Sequence, residues 1–167
     1  MALLSLLDGL HLFYRFVILV IGVLELTRES NVPVSINYFT SRKCNYTCGF
    51  CFHTDTSFYV VPVDEAKRSL RLLKEAGMRK LNIAGGEPVL YPRLLTELLQ
   101  FVKEELGLES ISIVSNGSKI TEKWMRESCQ WLGTLPISCD SFDPETNKKI
   151  GRGDDGGNVI RLFRIGH

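Results

Sequence analysis

From residue 34 onward, short runs rich in β-branched residues alternate with amphipathic stretches, a rhythm that restricts the chain to consecutive βα units of an α/β fold. Val34, Ile36 and Tyr38 alternate along a first strand over 34–40, and residues 80–84, 110–115 and 135–140 read as three more. After the first strand, Asp64 caps or leads into a helix with Ala66, Leu70 and Leu73 on one face and Lys67, Arg71, Lys74 and Glu75 on the other; Gly77 ends it. A second helix gathers Leu95, Leu98, Leu99, Val102 and Leu106 on its apolar face and closes at Gly107. A third starts at Thr121 and aligns Trp124, Met125, Ser128 and Trp131 as a packing stripe.

Each glycine-rich or reactive cluster stands at the C-terminal end of a strand. Cysteines follow the first strand, Gly-Gly-Glu-Pro the second and Ser-Asn-Gly the third, and Ser-Cys-Asp-Ser closes the fourth. In a parallel barrel that rim is the active-site face, so the four segments are expected to converge on one bowl.

Cys44, Cys48 and Cys51 have the spacing C-x3-C-x2-C, which puts three thiolates on one loop and leaves a metal centre one ligand short. Soft thiolates favour iron-sulfur clusters or zinc, and a four-iron cube held by three cysteines keeps one iron open. The competing reading is a zinc site completed by His53, although zinc ligands usually come as two separated pairs and no second pair is present. Five cysteines, an odd number, with three of them in one octapeptide, imply metal ligation in a reducing compartment rather than a disulfide framework. Cys129 and Cys139 read as small buried residues of a helix and a strand. With 20 Lys+Arg against 19 Asp+Glu, the net charge of +1 offers no basic field for nucleic acid.

Residues 3–26 are overwhelmingly apolar, yet the unbroken run over 16–24 is far shorter than the roughly 18 residues that mark a transmembrane helix. The first ten residues hold Asp8 and no Lys or Arg, unlike a secretory signal. Asp8, His11, Arg15 and Glu25 fall on one narrow stripe of a helix otherwise lined by Leu, Ile, Val and Phe. Residues 1–30 are therefore expected to form an apolar, amphipathic helix lying on a membrane surface; packing against a partner or core is the alternative.

CNYTCGFC followed by GGEP resembles the signature of the radical S-adenosylmethionine superfamily. The longer blocks SINYFTSRKCNYTCGFCFHT, LKEAGMRKLNIAGGEP, SIVSNGS and ISCDSFDPETNKKIGRG resemble its viperin-like, antiviral nucleotide-modifying branch, over residues 34–153. The resemblance implies a partial (βα) barrel, with about four of the superfamily's six βα units countable over residues 31–167. On that reading the chain is a truncated form without the last strands and the C-terminal nucleotide-binding segment.

The same resemblance implies a 4Fe-4S cluster on Cys44, Cys48 and Cys51, with S-adenosylmethionine chelated at the open iron and split to a 5'-deoxyadenosyl radical. Tyr46 and Phe50 would keep the site dry. Gly85, Gly86 and Glu87 would receive the methionine ammonium, and Arg152 its carboxylate, while Ser115, Asn116, Ser138 and Asp140 suit the ribose and other polar cofactor atoms. Asn37 and Lys80 would contact a nucleoside triphosphate, with CTP favoured, the lysine through the phosphates. The implied reaction removes water to give a 3'-deoxy-3',4'-didehydro nucleotide, with electrons from a donor protein, at the cytosolic face of the endoplasmic reticulum. A non-catalytic, cluster-binding and membrane-tethered interaction protein is the rival expectation.

Overall fold

The computed structural model describes residues 33–52 and 57–152, all within the second of two compact units, Val32–His167. The helix expected over residues 1–30 and the candidate zinc ligand His53 lie outside the described residues.

Three parallel strands, β1 (Ser35–Phe39), β2 (Lys80–Ala84) and β3 (Ser110–Ile113), form a sheet in that order. Helix α1 (Val63–Glu75) links β1 to β2, and α2 (Pro92–Gln100) links β2 to β3. Beyond β3 come α3 (Glu122–Ser128) and α4 (Pro144–Lys149). The βα alternation expected from the sequence is therefore present, with helices packed on one face of the sheet. Leu81 and Ile83 of β2 and Ile111 and Ile113 of β3 point into that layer and meet Leu70, Met78, Leu95, Leu98 and Leu99, all 2% exposed or less. Full burial of such side chains contributes about 1.5–3 kcal/mol each.

The opposite face of the sheet is polar. The register Asn37↔Asn82↔Ser112 sets three polar side chains in one row. Asn82 donates through Nδ2 to Asn37 Oδ1 at 2.9 Å, and Ser112 Oγ donates to Asn82 Oδ1 at 2.8 Å. The next row toward the strand starts is Ser35↔Lys80↔Ser110.

Local chemistry explains the helix ends. Asp64 does not cap α1: Pro62 occupies that position without a side-chain bond, and Asp64 and Glu65 instead complement the positive end of the helix from its first turn. Thr121 Oγ1 accepts from Trp124 N at 3.2 Å and starts α3, as expected. Helix α2 begins with Pro92 and runs into a wider turn over Phe101–Glu105, where Leu106 N reaches Phe101 O at 3.2 Å.

Two expectations fail. Residues 135–140 do not form a fourth strand. The segment runs along β3 through isolated parallel bridges, Ser112↔Thr134 and Ser115↔Ile137. Between them stands Pro136, which accepts from Ser115 N but has no N–H to return to the ladder. Cys129 and Cys139 are exposed rather than buried. Cys129 opens a 3-10 turn, Cys129–Trp131, past the packed face of α3, and Cys139 follows the last bridge. The Trp124 ring is buried as expected, its Nε1 donating to Thr96 Oγ1.

Candidate functional site

The cysteine loop leaves the end of β1 through the buried pair Thr40 and Ser41. Ser41 Oγ accepts from Lys43 N at 3.1 Å and donates to Tyr59 O at 3.0 Å, turning the chain away from the sheet. Backbone from two distant segments then holds the loop. On one side Glu87 N donates to Lys43 O at 2.8 Å, and on the other Thr47 N donates to Gly151 O at 2.9 Å and Gly49 N to Ile150 O at 3.3 Å.

Both holding segments need glycine. Gly86 has φ +57°, and a Cβ there would stand 2.8 Å from the carbonyl carbon of Lys43. Gly151 has φ +83°, and a Cβ would stand 2.7 Å from the carbonyl carbon of Thr47. The left-handed backbone and the close approach each exclude a side chain at these two positions.

The loop faces a cavity of about 420 Å³ lined by Cys44, Cys48, Cys51, Gly85, Gly86, Ser115, Asn116, Ser138, Asp140 and Arg152, with Tyr46, Phe50 and Phe52 as its aromatic wall. Ten of the thirteen residues singled out in the sequence thus meet in one place. Asn37 and Lys80 do not line the cavity and stand, exposed, on the polar face of the sheet.

Glu87 does not open into the cavity either. Its carboxylate, expected to accept from an ammonium, is 1% exposed and takes donors from its own chain: Val89 N at 3.0 Å, Ser115 Oγ at 2.8 Å and Asn116 N at 2.7 Å. Burial pushes its pKa up, and the three donors only partly counter this. Glu87 therefore ties the end of β2 to the Ser-Asn-Gly turn after β3, and Ser115 spends its hydroxyl on that tie.

Arg152 donates to Ser138 O at 2.7 Å and pairs with Asp140. Helix α4 aims it: Asp143 caps that helix by accepting from Thr146 N at 2.9 Å, and Arg152 N closes back on Asn147 O at 2.8 Å. Burial raises the Cys48 thiol pKa, against the pull of the Arg152 guanidinium, which favours the thiolate. Cys44 Sγ accepts from Tyr46 N at 3.4 Å and Asn116 Nδ2 at 3.7 Å.

This donor set fits a cluster. Three sulfurs and no other ligand type line the cavity on the loop side, while the facing wall of glycine backbone leaves room beside them. Among the described residues no three His, Cys, Asp or Glu side chains are grouped as ligands of a single metal ion.

Sequence reasoning missed Asn82, Ser112, Asn45 and Ser118. The first two alternate with Leu81, Ile83, Ile111 and Ile113, and alternation alone places them on the sheet's other face. What no single segment reveals is that parallel register joins them to Asn37.

The signature of the Radical SAM superfamily matches residues 38–165. The chain is 52% identical over 143 residues to the S-adenosylmethionine-dependent nucleotide dehydratase RSAD2 of Oncorhynchus mykiss, covering 84% of this chain and 41% of that protein. It is 57% identical over 127 residues to the protein of the same description from Siniperca chuatsi, covering 75% and 36% respectively. The chain thus spans well under half the length of these curated relatives. Among solved structures it superposes on Streptococcus suis SuiB bound to precursor peptide SuiA with a TM-score of 0.67 and 25% identity, covering 81% of this chain and 31% of that one. By its cysteine loop, its parallel βα core and the match over residues 38–165, this chain belongs to the Radical SAM superfamily.

Proposed function

We propose that the chain is the radical-initiating part of an S-adenosylmethionine-dependent nucleotide dehydratase acting on a nucleoside triphosphate, with CTP favoured. The observation that carries this reading is the cysteine loop gripped between Gly86 and Gly151 and opening on the cavity where Asn116, Ser138, Asp140 and Arg152 converge. The names of the relatives support the nucleotide as substrate class.

Cys44, Cys48 and Cys51 would hold a 4Fe-4S cluster. When bound, the cluster and S-adenosylmethionine supply the one-electron chemistry that begins hydrogen abstraction from the ribose and ends in loss of water to a 3'-deoxy-3',4'-didehydro nucleotide. The protein's own contributions are positional. Backbone at Gly85 and Gly86 admits the methionine end of the cofactor closely, and the Arg152 guanidinium, braced by Asp140 and Ser138 O, offers a planar fork to a carboxylate. Tyr46 and Phe50 line the cavity and would give the bound cofactor an apolar wall. Lys80 and Asn37 are the candidate phosphate and nucleotide contacts, on a polar sheet face suited to such a ligand.

The reading extends to residues 1–30 as a membrane-surface anchor, which would put an antiviral enzyme and its electron donor protein at the cytosolic face of the endoplasmic reticulum. The narrow polar stripe of that segment supports it. Among the described residues no helix is long and apolar enough to cross a membrane.

The test is anaerobic reconstitution with iron and sulfide, then reduction with S-adenosylmethionine in the presence and absence of CTP. Deoxyadenosine that rises with CTP, together with a dehydrated nucleotide, is the expected result. An iron-loaded protein that forms no deoxyadenosine overturns the enzyme reading in favour of a non-catalytic cluster-binding protein.

A further inference from the structure

The sulfurs of Cys44 and Cys48 differ in their surroundings. Cys44 Sγ has two N–H donors, Tyr46 N at 3.4 Å and Asn116 Nδ2 at 3.7 Å. Cys48 Sγ instead lies 3.9 Å from a carbonyl oxygen, that of Gly151. Asn116 comes from the turn after β3, 72 residues along the chain from Cys44, so its approach to that sulfur is a product of the tertiary fold.

The orientation of the Asn116 amide is dictated by its neighbours. Its Oδ1 accepts from Ser118 N at 2.9 Å, a group that can only donate, so Nδ2 must face the sulfur. A closed ring then fixes the rotamer. Asn116 Nδ2 also donates to Asn45 Oδ1 at 3.1 Å, Asn45 Nδ2 donates to Ser118 Oγ at 2.9 Å, and Ser118 Oγ donates back to Asn116 Oδ1 at 2.7 Å. The backbone of Asn116 is pinned separately, its N–H on the buried carboxylate of Glu87 at 2.7 Å. An amide held at both ends with its donor toward a thiolate is preorganised to act on the charge of that sulfur.

We propose that Asn116 is a positioning residue of the cluster loop that sets the reduction potential of the bound cluster through its N–H···S contact with Cys44. This rests on the reading that the three cysteines bind an iron-sulfur cluster. Reduction adds negative charge that spreads onto the ligand sulfurs, and a donor aimed at one of them stabilises the reduced form. Hydrogen bonds to sulfur are among the determinants of cluster potential. Asn116 thereby makes the cluster easier to reduce, and Glu87 contributes by holding the Asn116 backbone in place.

The experiment is a spectroscopic redox titration of the reconstituted full chain, with iron per chain measured alongside. Asn116→Asp keeps the shape of the side chain and an acceptor for Ser118 N–H, but replaces the donor facing Cys44 with an oxygen. Its midpoint potential is expected to move to more negative values at unchanged iron content, and that of Asn116→Leu to move in the same direction by less. Ser118→Ala opens the ring yet leaves Ser118 N–H to hold Oδ1, and its potential is expected to move by much less than that of Asn116→Asp. A parent potential in Asn116→Asp, or an equal shift in Ser118→Ala, overturns the inference and reduces Asn116 to a loop-shaping residue. A parent chain that assembles no cluster fails earlier, and overturns the cluster reading along with it.

Discussion

Gly151 lies so close to Thr47 that the two share a backbone hydrogen bond, Thr47 N to Gly151 O at 2.9 Å, with no room for a side chain between them. The segment following α4 is thereby a structural wall of the cysteine loop.

Gly151→Ala is expected to displace that loop and lower iron retention after desalting at least several-fold. Gly107→Ala is the matched control. It also has positive φ, at +60°, but a Cβ there meets nothing within 4 Å. It should cost about 1–2 kcal/mol of stability from left-handed strain and leave iron retention unchanged.

Glu87→Ala leaves the donors Val89 N, Ser115 Oγ and Asn116 N without their acceptor. Each donor left buried and unpaired costs roughly 1–3 kcal/mol, so the urea midpoint should fall markedly. Glu87→Gln tests the charge. Because the folded pKa of Glu87 is raised, its stabilising contribution is complete below the ordinary carboxylate range and is lost as pH rises through the folded value. The stability gap between parent and Glu87→Gln should therefore narrow as pH rises from the ordinary carboxylate range upward. A gap that stays constant over that rise contradicts the shift.

Arg152→Lys retains the charge but loses the planar fork that reaches Ser138 O and Asp140. Loss of one charge-assisted bond, about 1.5–3 kcal/mol, corresponds to a weakening of S-adenosylmethionine binding of about ten-fold or more. Equilibrium dialysis with the reconstituted protein reads this directly, and unchanged binding would remove Arg152 from the cofactor site.

Asn82→Leu breaks the polar row on the face of the sheet opposite the helices and leaves Asn37 Oδ1 and Ser112 Oγ without their partner. Nucleotide binding is expected to weaken several-fold while deoxyadenosine formation without nucleotide persists. Equal loss of both would show that the row shapes the whole fold rather than the substrate face.

The strands and helices that follow plain periodicity were legible from residue type alone. Ile36 and Tyr38 mark β1, which starts one residue after the expected Val34, and the Leu95, Leu98 and Leu99 stripe marks α2. Residues 135–140 share that apolar character, but a proline at 136 outweighs it by withdrawing one ladder donor. Helix α4 was missed although its start is written plainly: Asp143 as cap, Pro144 at the first position and Glu145 behind it. At the site, the cysteines declared themselves by spacing and Gly85 and Gly86 by their place after β2, whereas the close approach of Gly151 to Thr47 did not show. The role of Glu87 did not, because whether a carboxylate faces a ligand or the protein's own N–H groups depends on a turn 28 residues away. Asn82 was hidden for the same reason, as was the contact of Asn116 with Cys44: each joins residues remote in sequence.

The grip of Gly151 on the loop also imposes an order of events. The contact between Cys48 and Gly151 closes over 103 residues of chain, and the backbone bonds beside it have similar span. While synthesis is under way, the cysteines emerge long before the wall that shapes their loop. The segment that carries Cys44, Cys48 and Cys51 therefore cannot take its folded shape until residue 151 has been made.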